Sequence, residues 1–378
     1  MSHAKMKPEA AVQYSNEITS ENVDHTYDLA VCIMRAEPYH IGHQVLVNQG
    51  LAVANHVLVL VGSSNVPRTI KNPFTYDERM EMILGSLSVA DRTRVGVLPV
   101  PDCLYSDDDW ITYVQQKIEN TLTLRVGGGW EDKKVNRSAC IVGNKKDESS
   151  YYLDKFPQYD FVSVDGIKLG LDATSIRQLM FEAPDQLHLI KSLVPASTFS
   201  FVERFIGSDE HTRLGREYDM IKKYKAAWAA APYAPTFVTV DAVVKKNGHV
   251  LFVRRKAAPG EGLLALPGGF VNQNERLRDA AIRELIEETS IDLPPGLLAN
   301  SISRSDVFDH PDRSLRGRTF THAFLFDLDK ADSKSGLPKV KGGDDAAEAI
   351  WIPTATAINM AMETYEDHQS IWRSMVGV

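Results

Sequence analysis

Glu284, Glu287 and Glu288 stand at positions i, i+3 and i+4. On a helix that spacing puts three carboxylates on one face. Such a cluster repels itself unless a hard divalent cation is bound, and carboxylate oxygens suit Mg²⁺ or Mn²⁺. Arg283 lies four residues before Glu287 and can orient it. Upstream, Pro267-Gly268-Gly269 permits a tight turn that aims a carbonyl, expected to be that of Gly268, at the same ion. The competing reading is an acidic helix that merely faces solvent.

A second set of residues suits phosphate. His40-Ile41-Gly42-His43 offers two ring N–H donors around a glycine that lets a ligand approach the backbone. Pro38 fixes the preceding loop, and Arg35 adds a permanent cation. Far downstream, Thr174-Ser175-Ile176-Arg177 places two hydroxyls and a guanidinium at the start of an expected helix. Free N–H groups at helix starts favour anions. The alternatives are a surface loop that happens to hold two histidines, and an ordinary N-cap at Thr174 or Ser175.

The elements around these residues decide between the readings. The apolar run 29–34 reads as a strand buried on both faces. A helix over 41–55 and a second strand over 56–61 follow. Helices are expected over 75–89, 108–122, 175–181 and 196–205, and strands over 94–100, 139–143 and 159–164. Strands alternating with helices imply βαβ crossovers and a parallel sheet. His40 to His43 then fall at the carboxyl end of the first strand, where open α/β sheets bind ligands. Residues 206–234 read as a helical connector ended by Pro232 and Pro235. From 235 the pattern becomes β-rich, with an Asn247-Gly248 hairpin turn, a charged helix over 275–289, and strands near 303–308, 319–328 and 349–352. That is a mixed α+β domain. Residues 1–27 read as a flexible tail.

The chain has 378 residues, enough for two or three domains. Its net charge is −8, which argues against nucleic acid or an anionic membrane as a partner. Cys32, Cys103 and Cys140 are odd in number and form no CxxC pair, so a reducing compartment, the cytoplasm, is expected. Cys32 and Cys140 lie in apolar runs and read as core. No apolar stretch suits a membrane span or a signal peptide. A homo-oligomer is neither required nor excluded.

Over about 28–205 the chain resembles the HxGH and (S/T)xxR nucleotidyltransferases. Residues 67–75, Glu78-Arg79, and Asp102 and Trp110 within 101–110 are similar to nicotinamide mononucleotide (NMN) adenylyltransferases of the archaeal type. Met34-Arg35-Ala36-Glu37-Pro38 stands where those proteins have Gly-Arg-Phe-Gln-Pro. The resemblance implies a Rossmann-like domain that joins NMN to ATP, giving NAD and pyrophosphate, with Mg²⁺ assisting. It implies Lys71 on the mononucleotide phosphate and Asp102 near the nicotinamide. It also implies Trp110 stacked on that ring, although Trp110 reads equally as a half-buried core aromatic.

Gly269, Glu275 and the run 283–291 resemble the Nudix box, with Ser290 in place of its usual glycine. This implies hydrolysis of a nucleoside diphosphate linked to another group. Fusions of the two modules are similar to bifunctional enzymes that also cleave ADP-ribose to AMP and ribose 5-phosphate. Arg316 and Arg318, in the basic loop 310–318, either hold phosphates or solubilise a loop tip. Glu348 or Asp345 supplies a further metal carboxylate or a base, and the sequence does not choose between them. Two alternatives stay open: a transferase acting on pantetheine phosphate or FMN paired with a general Nudix hydrolase, and a ligand-sensing regulator built on a Nudix fold.

Overall fold

The computed structural model describes residues 25–125, 138–145, 148–164, 172–331 and 336–378. Most of the expected tail therefore lies outside the described residues, and the first strand already begins at Tyr27. The N-terminal half runs β1 (Tyr27–Met34), α1 (Ile41–Val53), β2 (Ala54–Val61), α2 (Tyr76–Gly85), α3 (Val89–Arg94), β3 (Val95–Pro99), α4 (Asp107–Arg125), β4 (Ala139–Gly143), β5 (Asp160–Ser163), α5 (Ala173–Glu182) and α6 (Ala196–Phe205). The helix expected over 75–89 is shorter, and a second short helix that was not expected follows it at Val89–Arg94. Gly85 ends the first, and Ser88 caps the second through a bond from Asp91 N–H.

The five strands form one parallel sheet in the order β3-β2-β1-β4-β5. Side chains alternate along β1. Ala30, Cys32 and Met34 join the core under α1, α2, α5 and α6, while Leu29, Val31 and Ile33 join the core under α4. A sheet covered on both faces requires such a continuous apolar run. Cys32 and Cys140 are buried free thiols. Helix α7 (Asp209–Ala227) packs on this domain through Leu214 and His211, and reaches the next domain through Glu217, which accepts a bond from Gly260 N–H. The connector is thus a wedge between two cores rather than a loose linker.

The C-terminal half runs β6 (Thr236–Lys246), β7 (His249–Arg255), β8 (Leu264–Ala265), β9 (Gly268–Phe270), α8 (Leu277–Thr289), α9 (Pro295–Ser301), β10 (Ile302–Phe308), β11 (Arg318–Asp327), α10 (Leu328–Ala331), β12 (Ala346–Pro353), α11 (Thr354–Ala357) and α12 (His368–Val376). The main strand order is β10-β11-β6-β7-β12, with β9 on β6 and β8 on β7. β6 and β11 are parallel and the other pairs antiparallel, a mixed sheet as expected. Asn247 and Gly248 take φ of 47° and 69°, the left-handed values a two-residue hairpin needs. α8 covers one face through Ala281 and Leu285, and α12 covers the other through Ile371 and Trp372. Ser290 ends α8 at φ 43°, so serine takes the left-handed cap that glycine usually fills. No helix among the described residues is long and apolar enough to cross a membrane.

Candidate active sites

His40 caps α1, directly after β1. Its Nδ1 accepts the Gly42 N–H at 3.1 Å, and His43 Nδ1 accepts the His40 N–H at 3.2 Å. The two rings stack with centroids 3.8 Å apart. Because both Nδ1 atoms accept, the proton of each neutral ring is held on Nε2, which makes it a donor. The loop before them is pinned from below. Arg79 is buried, 3.2 Å from Glu37, and donates to the carbonyls of Arg35 (2.8 Å), Gly62 (2.7 Å) and Ser63 (3.1 Å). Glu37 also accepts the Phe74 N–H at 3.1 Å. Glu37, one of the three residues that depart from the family pattern, is therefore a buried anchor for the loop, and Arg35 beside it is exposed.

Arg177 is brought to this loop, donating to the Glu37 carbonyl at 2.6 Å and to Thr174 Oγ1 at 3.2 Å. The cap of α5 is Asp172, which accepts the Ser175 N–H at 2.8 Å. Thr174 and Ser175 are therefore first-turn residues, not caps. Asp102 closes the far side, accepting the Ser63 N–H at 3.1 Å while its backbone pairs with Asn65. Trp110 lies in the aromatic cluster under α4, with ring centroids 5.9 Å from Tyr152 and from Phe156. Trp110 is half-buried there, packed against that core from its own place on α4. Lys71 meets a carboxylate of the other domain, with Nζ 3.0 Å from Asp312 Oδ2.

In the second site Arg283 is the hub. It bonds Glu275 (2.8 Å), Glu284 (2.8 Å) and Glu287 (2.9 Å). Glu275 stands just before α8 rather than on it, and Arg283 holds its carboxyl below the usual range. Glu288 faces inward and accepts the Gly268 N–H at 3.0 Å. Burial pushes its carboxyl up to about 8, and burial also raises that of Glu284. Burial disfavours the charged form of both inward carboxylates, and a cation bound between them would favour it. The glycines fit as well. A Cβ at Gly269 would fall 2.6 Å from Glu284 Oε1, and one at Gly268 would fall 2.2 Å from the Val240 carbonyl oxygen. In a strand a residue's N–H and C=O leave on one edge, so the Gly268 carbonyl leaves on the Glu288 side. The donors are all hard oxygens, which suits a divalent cation. Among the described residues no three His, Cys, Asp or Glu side chains already converge as a metal cage, and Arg283 engages Glu284 and Glu287 instead.

Arg316 and Arg255 flank a cavity of about 200 Å³ that Tyr224, Met220 and Asp345 also line. Arg316 Nε is buried without a hydrogen-bond partner, and its guanidinium lies 5.2 Å from the Phe270 ring. Arg318 instead holds its own loop through Asp309 and the Phe320 ring. Of the two carboxylates left open, Asp345 lines the cavity, while Glu348 pairs with Arg254 on an exposed strand edge. Arg255 was not among the sequence candidates. It ends an ordinary strand and carries no motif.

Residues 35–125 match the Cytidylyltransferase-like family and residues 235–372 the NUDIX domain family. The nicotinamide/nicotinic acid mononucleotide adenylyltransferase of Acinetobacter baylyi is 30% identical over 51% of this chain and 95% of that protein. The ADP-ribose pyrophosphatase of Methanocaldococcus jannaschii is 32% identical over 40% of this chain and 76% of that protein. A solved structure of a bifunctional NMN adenylyltransferase/ADP ribose pyrophosphatase from Francisella tularensis, complexed with AMP and manganese, is 35% identical. It superposes with a TM-score of 0.82 over 93% of this chain and 99% of that one. With both modules present in that order, the chain belongs to the family of bifunctional NMN adenylyltransferase/ADP-ribose pyrophosphatases.

Proposed function

We propose that the two sites work as separate catalysts on linked nucleotides. In the first, an oxygen of the NMN phosphate attacks the α-phosphorus of ATP. A new P–O bond forms, the bond to the bridging oxygen breaks, and pyrophosphate leaves. No protein nucleophile is needed, so the work is positioning and neutralising charge. His40 and His43 donate to the ATP phosphates through Nε2, and Arg177, Arg35, Thr174 and Ser175 hold the rest. Lys71 meets the mononucleotide phosphate and Asp102 the nicotinamide side, while Trp110 supports that wall from α4. The observation that carries this reading is the double histidine cap, which fixes both ring tautomers as donors.

In the second site, water and ADP-ribose give AMP and ribose 5-phosphate. Glu284, Glu287, Glu288 and the Gly268 carbonyl would hold Mg²⁺ or Mn²⁺, which when bound lowers the pKa of water and shields the diphosphate. Arg316, with its unpartnered buried Nε, and Arg255 grip the diphosphate. Arg283 orients Glu284 and Glu287. The substrates are small and anionic, and the reading places the enzyme in the cytoplasm. A chromatographic product assay tests it. NMN plus ATP should yield NAD, and ADP-ribose should yield AMP, each with Mg²⁺ or Mn²⁺. Absence of either product from folded protein would overturn that half.

A further inference from the structure

The loop between β3 and α4 belongs to the transferase domain, yet Tyr105 on it reaches into the hydrolase domain. Its hydroxyl donates to Asp367 Oδ2 at 2.5 Å, across 262 residues of chain. Its ring sits edge-on to Phe308 at 5.2 Å. The residue keeps 38% of its surface exposed, so the contact is a docked edge rather than a core position. Burial and the Asp367 charge keep the hydroxyl protonated, hence a donor.

Asp367 is not an ordinary surface carboxylate. Its side chain is fully buried and takes both arms of Arg313, at 2.9 and 2.8 Å. Arg313 stands 3.9 Å from Asp241, which is also buried and accepts the Thr321 hydroxyl at 2.5 Å. Asp241 lies opposite Gly268 in the β6–β9 register, so close that a Cβ at Gly268 would fall 2.7 Å from its Oδ1. Gly268 N–H in turn holds Glu288. The next residue, His368, accepts the Leu266 N–H at 2.8 Å and fixes the same turn from the other side. Polar contacts therefore run from Tyr105 through Asp367 and Arg313 to Asp241, Asp241 packs tightly against Gly268, and the Gly268 N–H holds Glu288. Partners of this kind fix the orientation of groups that bind a metal.

We propose that Tyr105, a residue of the transferase domain, is a positioning residue of the pyrophosphatase site. Without its hydroxyl, Asp367 Oδ2 keeps only the Arg313 bond, the carboxylate–guanidinium pair is free to shift, and the Gly268 turn loses its fixed backing. This rests on the reading that Gly268 and Glu288 serve the hydrolytic metal. A metal site with misplaced ligands needs more metal and turns over more slowly, whereas a purely structural role would move neither independently of fold.

The test is Tyr105→Phe in the full chain, which keeps the ring and its contact with Phe308. ADP-ribose hydrolysis is measured across an Mn²⁺ titration, beside NAD synthesis and a thermal melt. The expected result is a fall of about 5- to 20-fold in kcat for hydrolysis, a several-fold rise in the Mn²⁺ needed for half-maximal rate, and an unchanged KM for ADP-ribose. Hydrolysis within twofold of wild type at every Mn²⁺ concentration overturns the proposal. So does an equal fall in both activities with an unmoved Mn²⁺ curve, which would mean only less folded protein. Arg313→Lys checks the route: adding Tyr105→Phe to it should cost little more, and fully multiplying losses overturn the route. Glu288→Gln separates the two readings. If it retains hydrolysis, the metal-helix assignment fails and takes the proposal with it. If it is inactive while Tyr105→Phe is normal, only the proposal fails.

Discussion

His40 and His43 cap one helix for each other. Each Nδ1 accepts a backbone N–H, and the rings stack 3.8 Å apart. The same two residues thus complete the helix start and aim two Nε2 donors. His43→Ala should lower NAD synthesis by at least about 100-fold, about 2.7 kcal/mol of transition-state stabilisation. It should also lower stability by about 0.5–1.5 kcal/mol through the lost bond to the His40 N–H. Steady-state kinetics and urea unfolding measure the two effects. NAD synthesis near wild type would remove His43 from phosphate binding.

Lys71 and Asp312 join the two domains at 3.0 Å. The bond from Lys71 holds the Asp312 carboxyl below its usual range, with His310 and then Arg35 adding to the effect. A mononucleotide phosphate reaching Lys71 must therefore displace a carboxylate. An exposed pair of this kind is worth about 0–1 kcal/mol, or at most about fivefold in affinity. Asp312→Asn should lower KM for NMN by about two- to fivefold with kcat unchanged. A raised KM would mean that Asp312 orients Lys71 rather than competing for it.

Much of this was legible in the sequence because the responsible forces are local. The unbroken apolar run of β1 demands burial on both faces. Asn247-Gly248 demands a hairpin, and the spacing of Glu284, Glu287 and Glu288 puts them on one helix. The long-range polar contacts were not legible. Nothing in the types or spacing of Tyr105 and Asp367 pairs them, and Arg283 bonds Glu275, which lies just outside the helix. Trp110 was ambiguous for a physical reason, since the same aromatic surface serves a ring stack or a core. Helix α12 was legible but not among the expected helices: its buried His368, Ile371, Trp372 and Met375 recur at i, i+3, i+4 and i+7, the spacing of a half-buried helix.

His368 is buried neutral, and burial pushes its imidazole down to about 3 from 6.5. Asp241 on β6, Arg255 on β7, Arg313 and Arg316 on the 310–318 loop, and the neighbouring Tyr365 and Asp367 surround it. The unfolded chain takes up a proton at this ring below about pH 6.5, and the folded chain does not until about pH 3. Stability is thus full above the unfolded value and is lost as pH falls through that window, at up to about 1.4 kcal/mol per pH unit. His368→Gln keeps an acceptor for the Leu266 N–H but cannot titrate. Urea unfolding between pH 6.5 and 4 should show a steeper loss in wild type than in the variant. Equal slopes would mean that the ring titrates normally.

Glu288 and Glu284 lie one turn apart on α8 and both face inward, while Glu287 is 45% exposed and held by Arg283. Glu288→Gln preserves size and helix propensity but removes a charge. The amide oxygen can still accept the Gly268 N–H, so the turn keeps its bond. A neutral amide is a weak ligand for a hard cation. ADP-ribose hydrolysis should fall about 100-fold or more, because water activation and shielding of the diphosphate depend on the same ion. Without metal, the change removes the cost of burying a carboxylate, to which the Glu284 and Asp241 charges add. The melting temperature in chelator should therefore hold or rise slightly. NAD synthesis should stay at wild-type level, because its proposed cations come from β1 to α5, a separate sheet. Two activity assays and one melt decide the matter. Unchanged ADP-ribose cleavage would remove α8 from the mechanism, and a parallel loss of NAD synthesis would refute two separate catalysts.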